Sequence, residues 1–407
     1  MDISRTLESG ILKVNAWFRV VFLAGPRRVG KSTILEHCIE KNRKVVSLDI
    51  PANRQLAVED PEAFLAKYPP PVLIDEVQYA PNLFSYIKYA VDHNEEKGLY
   101  WLTGSQQFHL MKNVTESLAG RVGILKLQGL SQREKFGRPA GKPFLALLKD
   151  GIPQISEAKI TPSGQAFNLL WQGGYPEVFT GNAQARSIFY DSYLQTYIER
   201  DVRALLEIKN ELRFLKFMAV LASRTGQTLD YSHLAHDVGI SVPTVRDWLS
   251  VLHATGMIYL LPPYFRNPAN TMIKTPKVYF LDTGLVCHLT RILSAEQAAV
   301  NMMSGALLET YVLAEILKSY WHNAETSAIY FYRDKQKREI DFLLEENGSL
   351  HPIEVKQKHN PQPKDIKNFA VIEKVLGMPR GQGAVVCLAE EVLPLNREVT
   401  VFPVGCL

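Results

Sequence analysis

The nine residues GPRRVGKST, Gly25 to Thr33, constrain this chain more than any other stretch, because they stand between an apolar run, VVFLA, and a helical run, TILEHCIEK. The pattern G-x-x-x-x-G-K-[ST] needs that setting: loop amides and a helix N-terminus must point at the same phosphates. A strand, loop and helix of this kind belong to a parallel α/β sheet. The runs KVVSLDI, PVLIDEV, YWLTGS and VGILKLQGL predict the other strands of that sheet within residues 20–137. The cofactor-binding candidates are therefore Gly25, Pro26, Arg27, Arg28, Val29, Gly30, Lys31, Ser32 and Thr33. Lys31 is expected to reach the β and γ phosphates of ATP, and the Ser32 hydroxyl to hold Mg²⁺.

The stretch PPPVLIDEVQ places an apolar strand ahead of Asp75 and Glu76. Asp75 is positioned to hold the metal, and Glu76 to polarise an attacking water as catalytic base, which favours hydrolysis over transfer to a small-molecule hydroxyl. The strand YWLTGSQ ends in Thr103 and Ser105, polar groups where a γ-phosphate sensor would lie; a plain strand cap is the structural alternative. Arg121 in SLAGRVG and Arg200 in YIERDV are candidates for the cation that stabilises transition-state charge, or else members of structural ion pairs.

Length enters next, since 407 residues exceed what one small core needs and point to two or three domains. The net charge of +4 makes any nucleic-acid surface a local patch and not a global field. Cys38, Cys287, Cys387 and Cys406 are scattered without a CxxC spacing, which argues against a zinc site or a disulfide framework. No run has the length of a membrane span, and the N-terminus lacks the apolar core of a secretory signal. The expectation is a soluble cytoplasmic protein without a membrane partner.

Four regions separate by pattern: a P-loop domain over 1–137, a linker and helical region over 138–221, a helix-turn-helix module over 222–266, and an α+β region over 267–407. In the third, Gly239 marks a turn, Ser241 opens a second helix with Pro243 in its first turn, and MIYLLPPYF can supply the strand of a wing. Leu234, Val238, Ile240, Val245, Trp248, Leu249 and Leu252 would form its core. A DNA reader needs basic and amide side chains on that second helix, and only Arg246 qualifies, so packing between the flanking regions competes with base reading. In the fourth region, REIDFLLEENGSLHPIEVKQK reads as a hairpin turning at Asn347 and Gly348. That register sets Asp341 across from Glu354 and Glu339 across from Lys356, with Ile340, Phe342, Ile353 and Val355 on the other face. Like charges in opposition are destabilising, so the first pairing calls for a reason.

GPRRVGKST, VLIDEVQ, LTGSQ, LAGR, GGYPEVF, YIERDV, KVYFLDTGL and EID…IEVK, taken together from about Trp17 to beyond Lys356, resemble the prokaryotic AAA-type ATPases fused to a C-terminal domain of unknown function. The resemblance implies a parallel-sheet AAA-type ATPase core, a helical and winged-helix middle, and an α+β restriction-endonuclease-like C-terminal domain. Glu309 on an amphipathic helix, with Asp341, Glu354 and Lys356, resembles the endonuclease-like pattern in which carboxylates bind Mg²⁺ and a lysine orients water. The alternative is a solvated hairpin whose lysine pairs with its acids. Arg333, Lys335, Lys337 and Arg338 precede the hairpin, and Lys356, Lys358, Lys364 and Lys367 follow it, as a local basic patch for DNA or other nucleic acid. The function expected is Mg²⁺-dependent ATP hydrolysis coupled to a winged-helix and endonuclease-like tail acting on nucleic acid. The alternative is an ATP-dependent switch whose tail is a non-catalytic module for a protein partner, and a neighbouring copy supplying an arginine would imply a homo-oligomer.

Overall fold

A computed structural model describes residues 3–104, 117–150, 165–202, 211–265 and 275–407. The first sheet is built from β1 (Val20–Ala24), β2 (Lys44–Ser47), β3 (Val72–Asp75), β4 (Tyr100–Gly104) and β5 (Val122–Lys126), in the order β2-β3-β4-β1-β5. All of its pairings are parallel. Both faces are covered, which is why the strands read as unbroken apolar runs. Val21, Leu23, Leu73, Trp101 and Leu125 face one cluster, while Val20, Phe22, Val72, Ile74 and Leu102 face another. β4 lies between β1 and β3, so the P-loop, the end of β4 and the Asp75 end of β3 emerge side by side.

The middle of the chain holds the helices Ala183–Tyr197 and Glu211–Ala222, then Tyr231–Val238 and Val242–Ala254. Gly239 turns the chain in the left-handed region (φ 79°), and the Ser241 hydroxyl caps the next helix by accepting from Thr244 N at 3.2 Å. Leu234, Val238, Val245, Trp248, Leu249 and Leu252 are buried as expected, and Ile240 packs against them half-buried. A three-stranded sheet follows, with β6 (Gln227–Thr228) and β7 (Ile258–Leu261) flanking β8 (Lys277–Phe280). The boundary expected between 266 and 267 thus cuts this sheet, because KVYF pairs antiparallel with IYLL.

The last sheet runs β13-β14-β12-β11-β10-β9, from β9 (Ala328–Arg333), β10 (Glu339–Glu346), β11 (Ser349–Lys356), β12 (Gly383–Cys387), β13 (Leu393–Pro394) and β14 (Val399–Pro403). β10 and β11 pair from Phe342↔Ile353 to Glu346↔Ser349 around Asn347 (φ 51°) and Gly348 (φ 74°), the two positive values that a tight hairpin turn demands. One expectation needs correction. A bulge against β9 between Ile340 and Leu343 adds a residue, so Ile340 packs with Leu343, Tyr332 and Leu350, away from Phe342, Ile353 and Val355. The buried helix Ser304–Trp321 covers the Phe342 side, and one apolar cluster continues through it from Leu7 in the first domain to Leu407 in the tail.

Candidate functional site

Gly25 opens the P-loop where a Cβ would stand 2.2 Å from the carbonyl oxygen of Leu127, so only glycine fits between β1 and the chain leaving β5. Arg28 (φ 62°) and Gly30 (φ 91°) turn the loop through the left-handed region, and Gly30 caps the helix Lys31–Cys38. Lys31 is buried, its Nζ donating to the carbonyls of Gly25 at 3.0 Å and Pro26 at 2.8 Å. Beside it, Asp75 Oδ1 accepts the Ser32 hydroxyl at 3.2 Å and also the Thr103 hydroxyl, while Thr103 Oγ1 accepts the backbone N–H of Glu76 at 3.3 Å. Ser32, Asp75 and Thr103 therefore join the ends of β1, β3 and β4. Glu76 itself sits at positive φ (56°) and accepts from Gln78 Nε2. The hydroxyl and carboxylate of Ser32 and Asp75 are the hard oxygen donors that suit Mg²⁺.

The cleft in front of these groups has a volume of about 570 Å³ and is lined by Arg27, Arg28, Lys31, Ser32, Thr33 and Glu76 from the motifs. Ile3, Arg5, Asp49, Pro176, Glu177 and Thr180 also line it, and none of these was a site candidate from sequence. The last three lie on the short helix Pro176–Thr180 of GGYPEVF. Glu177 reaches Arg28 at 3.4 Å across the mouth. Asp282 of FLDTGL moors this helix: its carboxylate accepts from Gly174 N at 2.6 Å, from Tyr190 OH at 2.7 Å and from Leu285 N at 2.7 Å. Leu130 N in turn donates to Gly174 O at 2.6 Å, tying the middle region to the end of the first domain. The two stretches quoted as family markers thus have a physical task, to hold one wall of the cleft.

Arg121 is not in this cleft. It precedes β5, whose first residue Val122 pairs with Val20 at the start of β1, and so it lies a strand's length, about 16 Å, from the P-loop end. Its guanidinium pairs with Asp92 instead, Nη2 to Oδ2 at 3.0 Å. Ser105 and the side chain of Arg200 lie outside the described residues.

In the tail, Glu309, Asp341, Glu354 and Lys356 do approach one another, but with an unforeseen member. Lys277 of β8, buried, donates to Glu309 at 3.2 Å and to Glu339 at 2.6 Å. Glu339, expected opposite Lys356, is drawn to Lys277 and to Arg333 at 3.6 Å. Burial opposes the charge on Lys277, yet Glu309, Asp341 and Glu339 together hold its ammonium above the usual lysine range. Glu309 also accepts from Tyr279 OH, and Asp341 Oδ2 accepts the N–H of Val355 at 2.8 Å. Lys356 pairs with Glu354 Oε1 at 2.6 Å, while Glu354 Oε2 is buried with no hydrogen-bond partner. Burial, then Glu309 and Glu354, push the Asp341 carboxyl well above its ordinary range. Burial raises Glu354 to about 7 against the pull of Lys356.

The sequence pattern sets Glu309, Asp341 and Glu354 as candidate metal ligands. Among the described residues no group of three His, Cys, Asp or Glu is spaced to hold a metal ion, and Lys277 and Lys356 each take one carboxylate oxygen, of Glu309 and Glu354 respectively. Arg246 on the second helix of the helix-turn-helix lies over the Tyr231 ring at 4.8 Å, next to Asp247.

Residues 18–136 match the family described as AAA domain. The chain carries an AAA-type P-loop domain. Beyond this AAA domain, residues 164–296 match a Domain of unknown function (DUF8612) and residues 304–407 a Domain of unknown function (DUF4143). Uncharacterized proteins of Mycobacterium tuberculosis and Mycobacterium bovis are each 27% identical over 94% of this chain and 80% of their own length. Among solved structures, a Walker-type ATPase of Pyrococcus abyssi aligns over 71% of this chain and 96% of its own at 16% identity, with a TM-score of 0.42. Thermotoga maritima RuvB aligns over 63% and 86% at 18% identity, with a TM-score of 0.28. No helix among the described residues is long and apolar enough to cross a membrane.

Proposed function

We propose that the protein is an Mg²⁺-dependent ATPase acting as a nucleotide-dependent switch, whose winged-helix and C-terminal regions are interaction modules for a macromolecular partner. The joining of Ser32, Asp75 and Thr103 beside Glu76 carries the first half of this reading. Bound Mg²⁺ would neutralise phosphate charge at Ser32 and Asp75. Lys31 supplies a further cation to the β and γ phosphates. Glu76 orients the attacking water, and the helix N-terminus behind Gly30 favours the anion. The second half rests on Lys277 and Lys356, which neutralise the tail acids internally and so favour a binding role over cleavage.

Turnover of ATP by the full chain tests the first half. Lys31→Ala and Glu76→Gln are expected to lower it at least about 100-fold, the scale of lost positioned general base catalysis. Unchanged turnover in both variants overturns the assignment.

A second reading, cleavage of nucleic acid by a restriction-endonuclease-like tail, is favoured by one observation: Glu354 Oε2 is buried without a hydrogen-bond partner, on the strand paired with that of Asp341. Incubation with single- and double-stranded DNA and RNA plus Mg²⁺ or Mn²⁺ separates the readings. Cleavage that disappears in both Asp341→Asn and Glu354→Gln establishes the second, and its absence under all conditions leaves the switch.

A further inference from the structure

Three buried side chains outside every nucleotide motif form a chain between the P-loop and the tail. Arg5, 6% exposed, donates through Nη1 to the carbonyl of Val29 at 2.8 Å and through Nη2 to the carbonyl of Gln128 at 2.8 Å. Its Nε lies 3.2 Å from Glu134 Oε2, and Glu134 Oε1 lies 3.3 Å from Nδ1 of His322. His322 ends the helix Ser304–Trp321, and its Nε2 accepts the N–H of Gln128 at 3.2 Å. Leu127, the neighbour of Gln128, donates to Ala24 O at 2.8 Å and presses its carbonyl against Gly25. Both ends of the phosphate loop are therefore held from behind, at Gly25 through Leu127 and at Val29 through Arg5.

The geometry is selective. Val29 O and Gln128 O are met by different nitrogens of Arg5, Nη1 and Nη2, so the planar fork of the guanidinium matches both acceptors at once. The His322 ring must be neutral to accept the Gln128 N–H at Nε2, the bond that ties the tail helix to the loop after β5, while its Nδ1 stands beside Glu134. At the other part of the same helix, 13 residues earlier, Glu309 meets Lys277 in the tail cluster, about 20 Å along the helix axis.

We infer that Arg5 is a positioning residue for the P-loop, and that the chain Arg5, Glu134, His322 makes nucleotide affinity depend on docking of the Ser304–Trp321 helix. This deepens the switch reading and rests on it. Coupling is reciprocal, so a bound nucleotide must hold that helix in place as much as the helix holds the loop.

The test uses the full chain and a methylanthraniloyl-labelled ADP with Mg²⁺. His322 is not among the residues lining the cleft, so any effect of altering it on affinity travels through the chain. His322→Leu removes both contacts and is expected to weaken binding about 3- to 30-fold. His322→Gln, which can accept from Gln128 and donate to Glu134, stays within about 2-fold of wild type, a rescue that loss of bulk alone does not produce. Should the leucine variant fail to fold, amide hydrogen exchange of the wild type decides: nucleotide is expected to slow exchange across residues 304–321. Binding by wild type no tighter than by Lys31→Ala overturns the nucleotide reading and this inference with it. Tight wild-type binding with equal affinity in His322→Leu, or with no change in exchange across 304–321, overturns the inference alone.

Discussion

Asp75 accepts two hydroxyls on one oxygen, and the second of them, from Thr103, also receives the backbone N–H of Glu76. A fully buried threonine thus sets the orientation of both acids at the candidate hydrolytic site. Thr103→Val keeps the shape and deletes the hydroxyl that Asp75 accepts and that receives the Glu76 N–H. It is expected to lower kcat about 10- to 100-fold with a smaller change in KM, and to cost about 1–3 kcal/mol in stability. Steady-state ATPase kinetics beside a urea titration check both, and an unchanged kcat refutes the assigned role. Lys277 is the corresponding residue of the tail. Lys277→Met retains volume but leaves Glu309 with only Tyr279 and Glu339 with only Arg333 among the partners described above, and a loss of about 3–5 kcal/mol is expected from removing one partner of a buried ion pair. A urea midpoint equal to wild type would contradict the pairing.

At the scale of elements, the short helix Pro176–Thr180 is held in the cleft wall by a carboxylate more than a hundred positions away in the chain. Asp282→Ala removes the acceptor for Gly174 N, Tyr190 OH and Leu285 N together. A loss of about 2–4 kcal/mol is expected, since bonds to a charged acceptor contribute more than neutral ones. The KM for ATP should rise with it, and Asp282→Asn, which keeps an acceptor oxygen, should recover part of both. Equal KM in wild type and Asp282→Ala would dismiss the helix as a wall of the site. This separation also explains what could be read in the chain and what could not. The five parallel strands, the P-loop and the tight hairpin at Asn347 and Gly348 are local patterns of period and turn chemistry, legible within a few residues. For Arg121 the sequence left a transition-state cation and a structural ion pair open; its pairing with Asp92 at the far end of the sheet follows from position along a strand, which residue type does not announce. Arg5 with Glu134, Glu134 with His322, and Lys277 with Glu309 join residues with no shared local pattern, so nothing in their own neighbourhoods announces them.

Across the whole molecule, one apolar cluster extends from Leu7 to Leu407, so regions separable by composition are welded in the folded chain. Two buried polar groups in that continuous body respond to pH in opposite directions. In the P-loop chain, burial lowers His322 against the pull of Glu134, and Arg5 and His322 hold Glu134 well below its ordinary value despite burial. The unfolded state then binds more protons, so stability from this network is complete above about 6.5 and declines as pH falls below it. In the tail, Asp341 and Glu354 have raised values, so the folded state binds more protons and stability declines as pH rises from about 4.5 through the Glu354 value of about 7. Glu354→Gln isolates the second arm. At pH 5 the variant and wild type both carry a neutral side chain there and should be close in stability. At pH 8 the variant should be more stable by about 1–3 kcal/mol, because the wild type must hold a buried anion that Lys356 only partly offsets. Urea titrations from pH 5 to 8 measure the difference directly. Parallel curves would mean that Glu354 ionises in the folded protein as it does in water, and the strain assigned to the opposed acids would have to be abandoned.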